Sequence, residues 1–206
     1  KVVSHTSLFT SIAAIDRELA DRCRRGRCIY CQGPLHSAHY LRKPRGSPFP
    51  LPVECCLRHS FCCGHCRHRT QPPSLLFWGR KVYLGCVIVL LVGVVQGLEP
   101  VRLQSLCDEF GVTRRTIKRW LAYFRESFPS SGVWKRIRGH VGPQVDNCNL
   151  PYDLLVWVFP HHRSPQQALI ACLRLLAGVV DSHEIWGSSP PSTTHAKDAE
   201  VTMRTK

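Results

Sequence analysis

Two pairs of cysteines have the spacing of a metal site. The first pair is Cys28 and Cys31, the second is Cys63 and Cys66, and two residues separate the cysteines in each pair. Two such pairs, a few tens of residues apart, can supply four thiolates to one tetrahedral zinc ion. A four-thiolate site leaves no position for a substrate water. We therefore predict a structural Zn²⁺ that folds a small module and takes no part in chemistry.

The second pair has competing cysteines beside it. Cys62 directly precedes Cys63, and a Cys62–Cys66 pair would enclose three residues where two suit a metal-binding knuckle. We therefore assign Cys63 as the ligand. The sequence gives no role to four cysteines: Cys23, Cys55, Cys56 and Cys62. Three further cysteines lie in apolar surroundings and are interpreted as small buried residues: Cys86, Cys107 and Cys172.

Positive charge is concentrated around the same motifs. The chain has 206 residues and a formal net charge of +14. Residues 21–69 contain 10 Lys and Arg against 2 Asp and Glu, and residues 70–140 contain 11 against 4. Such a surface is either merely solvated or binds a polyanion, and we expect the polyanion to be DNA. Phosphate contacts are assigned to five residues of the cysteine-rich segment: Arg42, Lys43, Arg45, Arg67 and Arg69.

Residues 100–128 have the pattern of a helix-turn-helix. Apolar residues at helical spacing run up to Phe110, after which Gly111 can close the first helix and Val112 can plug the turn. Thr113 can then cap a second helix, which is apolar on one face. A plain helical hairpin is the alternative. We predict that the second helix reads DNA from the major groove through four basic residues: Arg114, Arg115, Lys118 and Arg119.

The remaining sequence divides into segments of different composition. The fold class we predict is α+β, with a small zinc-ribbon module followed by a mainly α helix-turn-helix bundle and C-terminal helices. Within the last region, residues 154–159 are short and apolar enough to form a strand instead. The predicted segments are an N-terminal helix (1–20), a zinc-ribbon module (21–75), a helix-turn-helix DNA-binding domain (79–128), a C-terminal helical region (129–186) and a disordered tail (187–206).

One apolar run and the 12 cysteines bear on the compartment. Residues 84–95 are apolar, but a membrane-spanning helix needs about 20 residues. We predict a buried core helix there, with membrane attachment as the alternative. Many cysteines can also indicate a disulfide-rich extracellular protein. Because residues 1–30 lack the pattern of a signal peptide, we expect a cytoplasmic protein with reduced thiols instead.

Four motifs together give the chain a resemblance to a known class of protein. They are Cys-x-x-Cys-Gln-Gly-Pro-Leu (28–35), Arg-Lys-Pro-Arg-Gly (42–46), Ser-Phe-Cys-Cys-Gly-His-Cys-Arg-His-Arg-Thr (60–70) and the helix that contains Arg119-Trp120. Over residues 23–128 the chain resembles the DNA-recognition region of transposases from bacterial insertion sequences. The resemblance implies a DNA-binding, nucleoid-associated protein of a mobile element. A second copy of the chain or other transposition proteins are its implied partners.

The sequence departs from a full transposase of this kind after Phe128. Such an enzyme would continue into an RNase H-like domain, in which several carboxylates bind paired metal ions. Only Asp153 and Asp181 adjoin apolar runs in residues 129–206, and several buried strands are not in evidence. We therefore predict a non-catalytic protein. The alternative is a fragment or subunit of an active transposase.

Overall fold

The computed structural model describes residues 6–47, 49–78, 83–97 and 100–179. This part of the chain is α+β, as predicted, and combines seven α-helices with two small antiparallel sheets. The predicted disordered tail, 187–206, lies outside the described residues. The helices are α1 (Thr6–Arg25), α2 (Gly85–Gly97), α3 (Pro100–Glu109), α4 (Arg114–Ala122), α5 (Gly132–Ile137), α6 (Tyr152–Val158) and α7 (Pro165–Leu176). The strands are β1 (Leu35–Ser37), β2 (Tyr40–Leu41), β3 (Leu57–Arg58), β4 (Phe61–Cys63) and β5 (Arg69–Thr70).

The cysteine-rich segment forms both sheets. Strand β4 lies between β1 and β5, with Leu35 opposite Cys63 and Phe61 opposite Thr70. Strands β2 and β3 form a separate two-stranded sheet. Among the described residues, the apolar core of this region is a cluster of five buried side chains, one of them from α1: Ala20, Cys28, Leu35, Phe61 and Cys63. Two of the five are predicted metal ligands, so this region has little apolar packing of its own.

The main core is assembled around helix α2. Its neighbours are α3, α4, α6 and α7, and Val87, Ile88 and Val89 are at most 1% exposed. The predicted buried core helix is therefore confirmed, and it has only 13 residues. None of the helices in the described ranges is both long enough and apolar enough to cross a membrane.

Helices at the two ends of the described chain pack on the same core. Helix α1 ends five residues later than the predicted helix 1–20, of which residues 1–5 lie outside the described ranges, and it buries Leu8, Ile12 and Leu19. Residues 154–159 belong to helix α6 and the short 3₁₀ turn that follows it, so the strand alternative is wrong. The predicted segments 1–20, 79–128 and 129–186 thus contribute to one cluster of buried residues.

Five aromatic side chains cluster at the main core: Trp78, Tyr123, Phe124, Phe128 and Trp134. Helix α4 continues as a π-helical turn, Tyr123–Ser127, before the chain reaches Phe128. The rings of Trp78, Phe124 and Phe128 meet edge to face, with centroids 5.2–5.8 Å apart. Trp134 packs on Phe128 at 5.5 Å. Edge-to-face packing of this kind stabilises a core beyond simple area burial.

A buried carboxylate fixes helix α1 to the loop that follows the sheets. Asp16 is 2% exposed and accepts hydrogen bonds from the backbone N–H of Leu75, at 2.6 Å, and from the hydroxyl of Ser74. Nearby, the buried Arg58 donates to the carbonyl of Pro72 at 2.9 Å. Burial raises the pKa of Asp16 above its ordinary value, an effect that these hydrogen bonds and Arg58 oppose.

Replacing Asp16 by alanine should therefore destabilise the fold. The Ser74 hydroxyl and the Leu75 N–H would lose their buried acceptor, and we expect the free energy of unfolding to fall by about 3 kcal/mol. Asp21, exposed on the same helix, provides the control, since Asp21→Ala should change stability by less than about 0.5 kcal/mol. Equal effects of the two substitutions in urea denaturation would contradict a structural role for Asp16.

The raised pKa of Asp16 also gives this prediction a pH dependence. Because the pKa is higher in the folded than in the unfolded chain, the protonated carboxyl favours folding at low pH. That contribution is lost as the pH rises through the folded-state pKa. Asp16→Asn keeps an acceptor but cannot ionise, so its stability should fall less than that of the wild type over the same pH rise.

Candidate metal centre and basic surface

The four predicted cysteines bring their sulfur atoms together. All four sulfurs lie within 4.8 Å of one another. The Sγ atoms of Cys28 and Cys66 are 3.6 Å apart, and those of Cys31 and Cys63 are 3.4 Å apart. A tetrahedral zinc ion, with Zn–S bonds of about 2.3 Å, requires sulfurs about 3.8 Å apart. The cluster thus has the size and the donor atoms to bind one metal ion.

Both cysteine pairs are folded by the same backbone hydrogen bond. The N–H of Cys28 donates to the carbonyl of Gly33 at 3.1 Å, and the N–H of Cys63 donates to the carbonyl of His68 at 2.9 Å. In each case the acceptor lies five residues after the first cysteine. The two segments are therefore equivalent knuckles, and each presents its two sulfurs from the same type of turn.

A left-handed residue follows the second cysteine of each knuckle. Gln32 has a φ of 57° and Arg67 a φ of 61°, a conformation uncommon for residues other than glycine. Each turns the chain so that its N–H donates to the backbone carbonyl of the first cysteine. The distances are 2.8 Å from Gln32 to Cys28 and 3.2 Å from Arg67 to Cys63. Two non-glycine residues in this conformation indicate that the knuckle hydrogen bonds determine the backbone here.

The knuckles also approach each other closely through two glycines. A Cβ atom on Gly33 would lie 2.8 Å from Nδ1 of His65, and one on Gly64 would lie 2.7 Å from Nε2 of His36. Each glycine therefore makes room for an imidazole from the other half of the module. Larger residues would separate the two knuckles, and with them the two pairs of sulfurs.

Backbone N–H groups also favour the thiolate form of Cys63. The N–H of Cys66, assisted by that of His65, lowers the pKa of Cys63 to about 6. A thiolate is the form that binds a metal ion. Cys28 and Cys63 are fully buried, whereas Cys31 and Cys66 are exposed, so the cluster lies with one side inside the module and the other at its surface.

The other cysteines stand apart from this cluster. All 12 cysteines of the chain are free thiols in the structure. The thiol of Cys62 donates to the carbonyl of Arg67 at 3.5 Å instead of facing the cluster. Cys55 is buried in the main core, and burial raises its pKa to about 11. The three cysteines predicted to be buried are at most 4% exposed: Cys86, Cys107 and Cys172.

The junction between α3 and α4 has the predicted local features. Gly111 has a φ of +58°, the left-handed conformation that ends a helix. Val112 is buried, and its N–H donates to the carbonyl of Cys107 at 2.8 Å. The hydroxyl of Thr113 accepts a hydrogen bond from the N–H of Thr116 at 3.3 Å, which caps α4 as predicted.

Helix α4 has one buried and one basic face. Thr116, Ile117 and Trp120 are at most 9% exposed. Arg114 contacts helix α3, where its Nε donates a hydrogen bond to Oε1 of Gln104 at 2.8 Å. The four basic residues of α4 that are predicted to contact DNA are all exposed: Arg114, Arg115, Lys118 and Arg119.

The five other basic residues divide into two groups. Arg42, Lys43 and Arg45 line a cavity of about 770 Å³ together with the end of α3 and the turn to α4. Arg67 and Arg69 are exposed and directly follow Cys66 of the cysteine cluster in the sequence. The first group therefore lies next to the helix pair, although more than fifty residues separate the two segments in the sequence.

Two carboxylates in the same cavity were not expected from the sequence. Asp108 and Glu109, at the end of α3, line it together with the basic loop of residues 42–45. Both are exposed, and a phosphate bound there would meet their negative charge. Arg42 is also partly withdrawn, since its guanidinium lies 5.1 Å from the centre of the Phe77 ring.

Comparison of the chain with protein-family models, with curated proteins and with solved structures finds no match in any of the three. The resemblance to transposase DNA-recognition regions therefore stays a prediction from the sequence motifs. Function has to be inferred from the chemistry of the cysteine cluster and of the basic helix α4.

Proposed function

We propose that this chain is a zinc-stabilised, sequence-specific and non-catalytic DNA-binding protein, related to the DNA-recognition domains of transposases. The two-faced helix α4 is the observation that carries this proposal. Its buried face packs on the core through Ile117 and Trp120, while Arg115, Lys118 and Arg119 are exposed. A helix held in this way can enter the major groove and place long basic side chains at base edges and phosphates.

Zinc is the metal we assign to the cysteine cluster. Four thiolates are soft ligands and favour Zn²⁺ in a closed, tetrahedral site. When bound, the ion would cross-link the two knuckles of a zinc-ribbon module whose apolar core is small. Metal binding then supplies much of the folding free energy of that module.

In this proposal α3 and α4 act as a helix-turn-helix, with the zinc-ribbon module beside them. Arg42, Lys43 and Arg45 lie next to the α3–α4 turn and would bind phosphates on either side of the groove that α4 enters. Asp108 and Glu109 would repel a phosphate placed within the cavity itself, which restricts the backbone to the rim of the basic loop.

Reduced thiols and a polyanion partner favour a cytoplasmic, nucleoid-associated protein. A helix-turn-helix that reads two half-sites works as a homodimer, so a second copy of the chain is a natural partner beside other transposition proteins. The extracellular alternative would need disulfides, and the sulfurs of the cluster are 3.4 Å or more apart across the knuckles, compared with about 2.05 Å in a disulfide bond.

Replacing Arg115 and Arg119 together by alanine tests the DNA-binding helix. We expect duplex affinity to fall by at least about ten-fold, because each arginine that binds a base or phosphate contributes roughly 1–3 kcal/mol. The slope of log affinity against log salt should shrink by about 1 for each of the two arginines that binds a phosphate in the wild type. Fluorescence anisotropy with the zinc-loaded protein, at several salt concentrations, measures both quantities.

The matched control removes the same charge elsewhere. Lys135 and Arg136 are exposed on α5, outside the helix pair, and their double alanine variant should bind duplex within about three-fold of the wild type. Equal reductions of affinity in both variants would refute recognition by α4 and leave only general electrostatic attraction. Selection from a random duplex pool should also give a sequence motif with the wild type and none with the Arg115→Ala/Arg119→Ala variant.

A further inference from the structure

The tip of the first knuckle carries an exposed apolar surface. This surface has no role in the cysteine cluster or in helix α4. Ile29 and Tyr30, the two residues between the ligands Cys28 and Cys31, are 71% and 63% exposed. Exposed apolar residues are ordinary when single, but a contiguous group on a rigid element indicates a binding surface.

A histidine from the second knuckle extends this surface. The rings of Tyr30 and His68 are in contact, with centroids 3.8 Å apart and planes at 41°. We call the group formed by Ile29, Tyr30 and His68 the knuckle tip. Ile29 and Tyr30 come from the first knuckle and His68 from the second. The shape of the knuckle tip therefore depends on the two knuckles being held together.

The knuckle tip is held by backbone structure on both sides. Tyr30 lies between two predicted ligands, and the carbonyl of His68 accepts the hydrogen bond from the N–H of Cys63 at 2.9 Å. The rings therefore project from turns that metal binding would fix. A ring held in place before binding loses little conformational entropy when a ligand packs on it.

The surroundings of the knuckle tip are strongly cationic. Arg27, Arg67 and Arg69 are exposed on the two knuckles and the strand after them. Glu54 is the only acidic residue in residues 22–98. This charge is complementary to a phosphate backbone, whereas a typical protein partner would expose acidic and basic groups in mixture.

We propose that the knuckle tip stacks an unpaired base of single-stranded nucleic acid, while the flanking arginines bind its phosphates. Aromatic faces surrounded by arginines are how proteins bind single strands, because every base has a face that can stack. In a duplex those faces are covered by neighbouring bases, so the knuckle tip would engage only an opened or unpaired strand. This inference deepens the proposed function and rests on it, because it adds a single-strand interaction to a DNA-binding protein.

The test compares single-strand and duplex affinity in the zinc-loaded full chain. With labelled oligothymidylate, which does not pair with itself, Tyr30→Ala should weaken binding about ten-fold, since stacking on one base contributes about 1–3 kcal/mol. Tyr30→Phe keeps the ring face and should bind within about two-fold of the wild type. Tyr40→Ala is the matched control, because Tyr40 is a second exposed tyrosine of the same module, with its hydroxyl bonded to Gln71.

Metal content and duplex affinity separate this inference from the other claims. Tyr30→Ala should retain its metal and its duplex affinity, and a reduction confined to the single strand supports stacking. An unchanged single-strand affinity, or an equal reduction in Tyr40→Ala, overturns it. If Arg115→Ala/Arg119→Ala leaves duplex binding intact while Tyr30→Ala weakens single-strand binding, the helix assignment fails and the knuckle tip stands.

Discussion

Replacing Cys63 by serine is expected to release the bound metal ion and to unfold the cysteine module. Cys63 is fully buried at the centre of the cluster, and the N–H of Cys66 lowers its pKa to about 6. The thiolate is the form of a cysteine that binds a metal ion. A serine hydroxyl is a poor zinc ligand, so the site would retain only three thiolate ligands.

The size of this effect follows from how little else holds the module. Its apolar core has five side chains, two of which are themselves ligands. Zinc contributes about 10–16 kcal/mol to the folding of small four-ligand modules, which exceeds the free energy that so small a core provides. Removing one ligand should thus abolish the order of strands β1 and β4 and of both knuckles.

Helix α1 connects this module to the rest of the protein. Leu8 and Ile12 are buried in the main core, whereas Ala20 is buried in the core of the cysteine module. The main core has many more buried side chains, so we expect it to persist in Cys63→Ser with a disordered end of α1. Hydrogen exchange should become fast in the module and remain slow in α2, α6 and α7.

Cys62 supplies the matched control for this prediction. It adjoins Cys63 on β4, but its thiol faces the carbonyl of Arg67 outside the cluster. Cys62→Ser should keep one zinc ion per chain by elemental analysis, and Cys63→Ser should keep none. Release of the metal from Cys62→Ser, or full metal content in Cys63→Ser, would show that the ligand set is wrong.

Spacing made the cysteine cluster and helix α4 predictable from the sequence. The two-residue separation in each cysteine pair is a local signal, because it sets the size of the turn that presents both sulfurs. The cap at Thr113 and the apolar positions of α4 are local in the same sense. Such features need no knowledge of how distant segments meet.

Interactions between distant segments explain what the sequence could not predict. In the sequence, Asp16 resembles an ordinary polar residue of an amphipathic helix. In the structure it accepts hydrogen bonds from the distant residues Ser74 and Leu75. Asp108 and Glu109 read as solvated acids, and only the approach of the basic loop makes them part of a cavity. No rule of local propensity indicates such partners.

The conformations of Gln32 and Arg67 illustrate a different limit. Both residue types ordinarily avoid positive φ, so nothing in the sequence marks them. The equivalent hydrogen bonds of the two knuckles require that conformation at one defined position. Only the repetition of the same geometry in both knuckles makes it recognisable.

Replacing Phe128 by alanine is expected to destabilise the main core strongly. Phe128 is 2% exposed and contacts the rings of Trp78, Phe124 and Trp134. Its N–H also ends the π-helical turn by donating to the carbonyl of Tyr123 at 2.8 Å. Truncation would leave a cavity among rings that cannot collapse into it, which costs about 3–5 kcal/mol.

A destabilisation of that size is a large part of the roughly 5–15 kcal/mol that typically separates folded from unfolded domains. Phe128→Leu refills most of the volume and should cost less than about 1.5 kcal/mol. Tyr152, an exposed aromatic residue of α6, gives the surface control, because Tyr152→Ala should change stability by about 0.5 kcal/mol or less. Urea denaturation of the zinc-saturated variants, followed by circular dichroism, would contradict a rigid aromatic cluster if Phe128→Ala cost no more than Phe128→Leu.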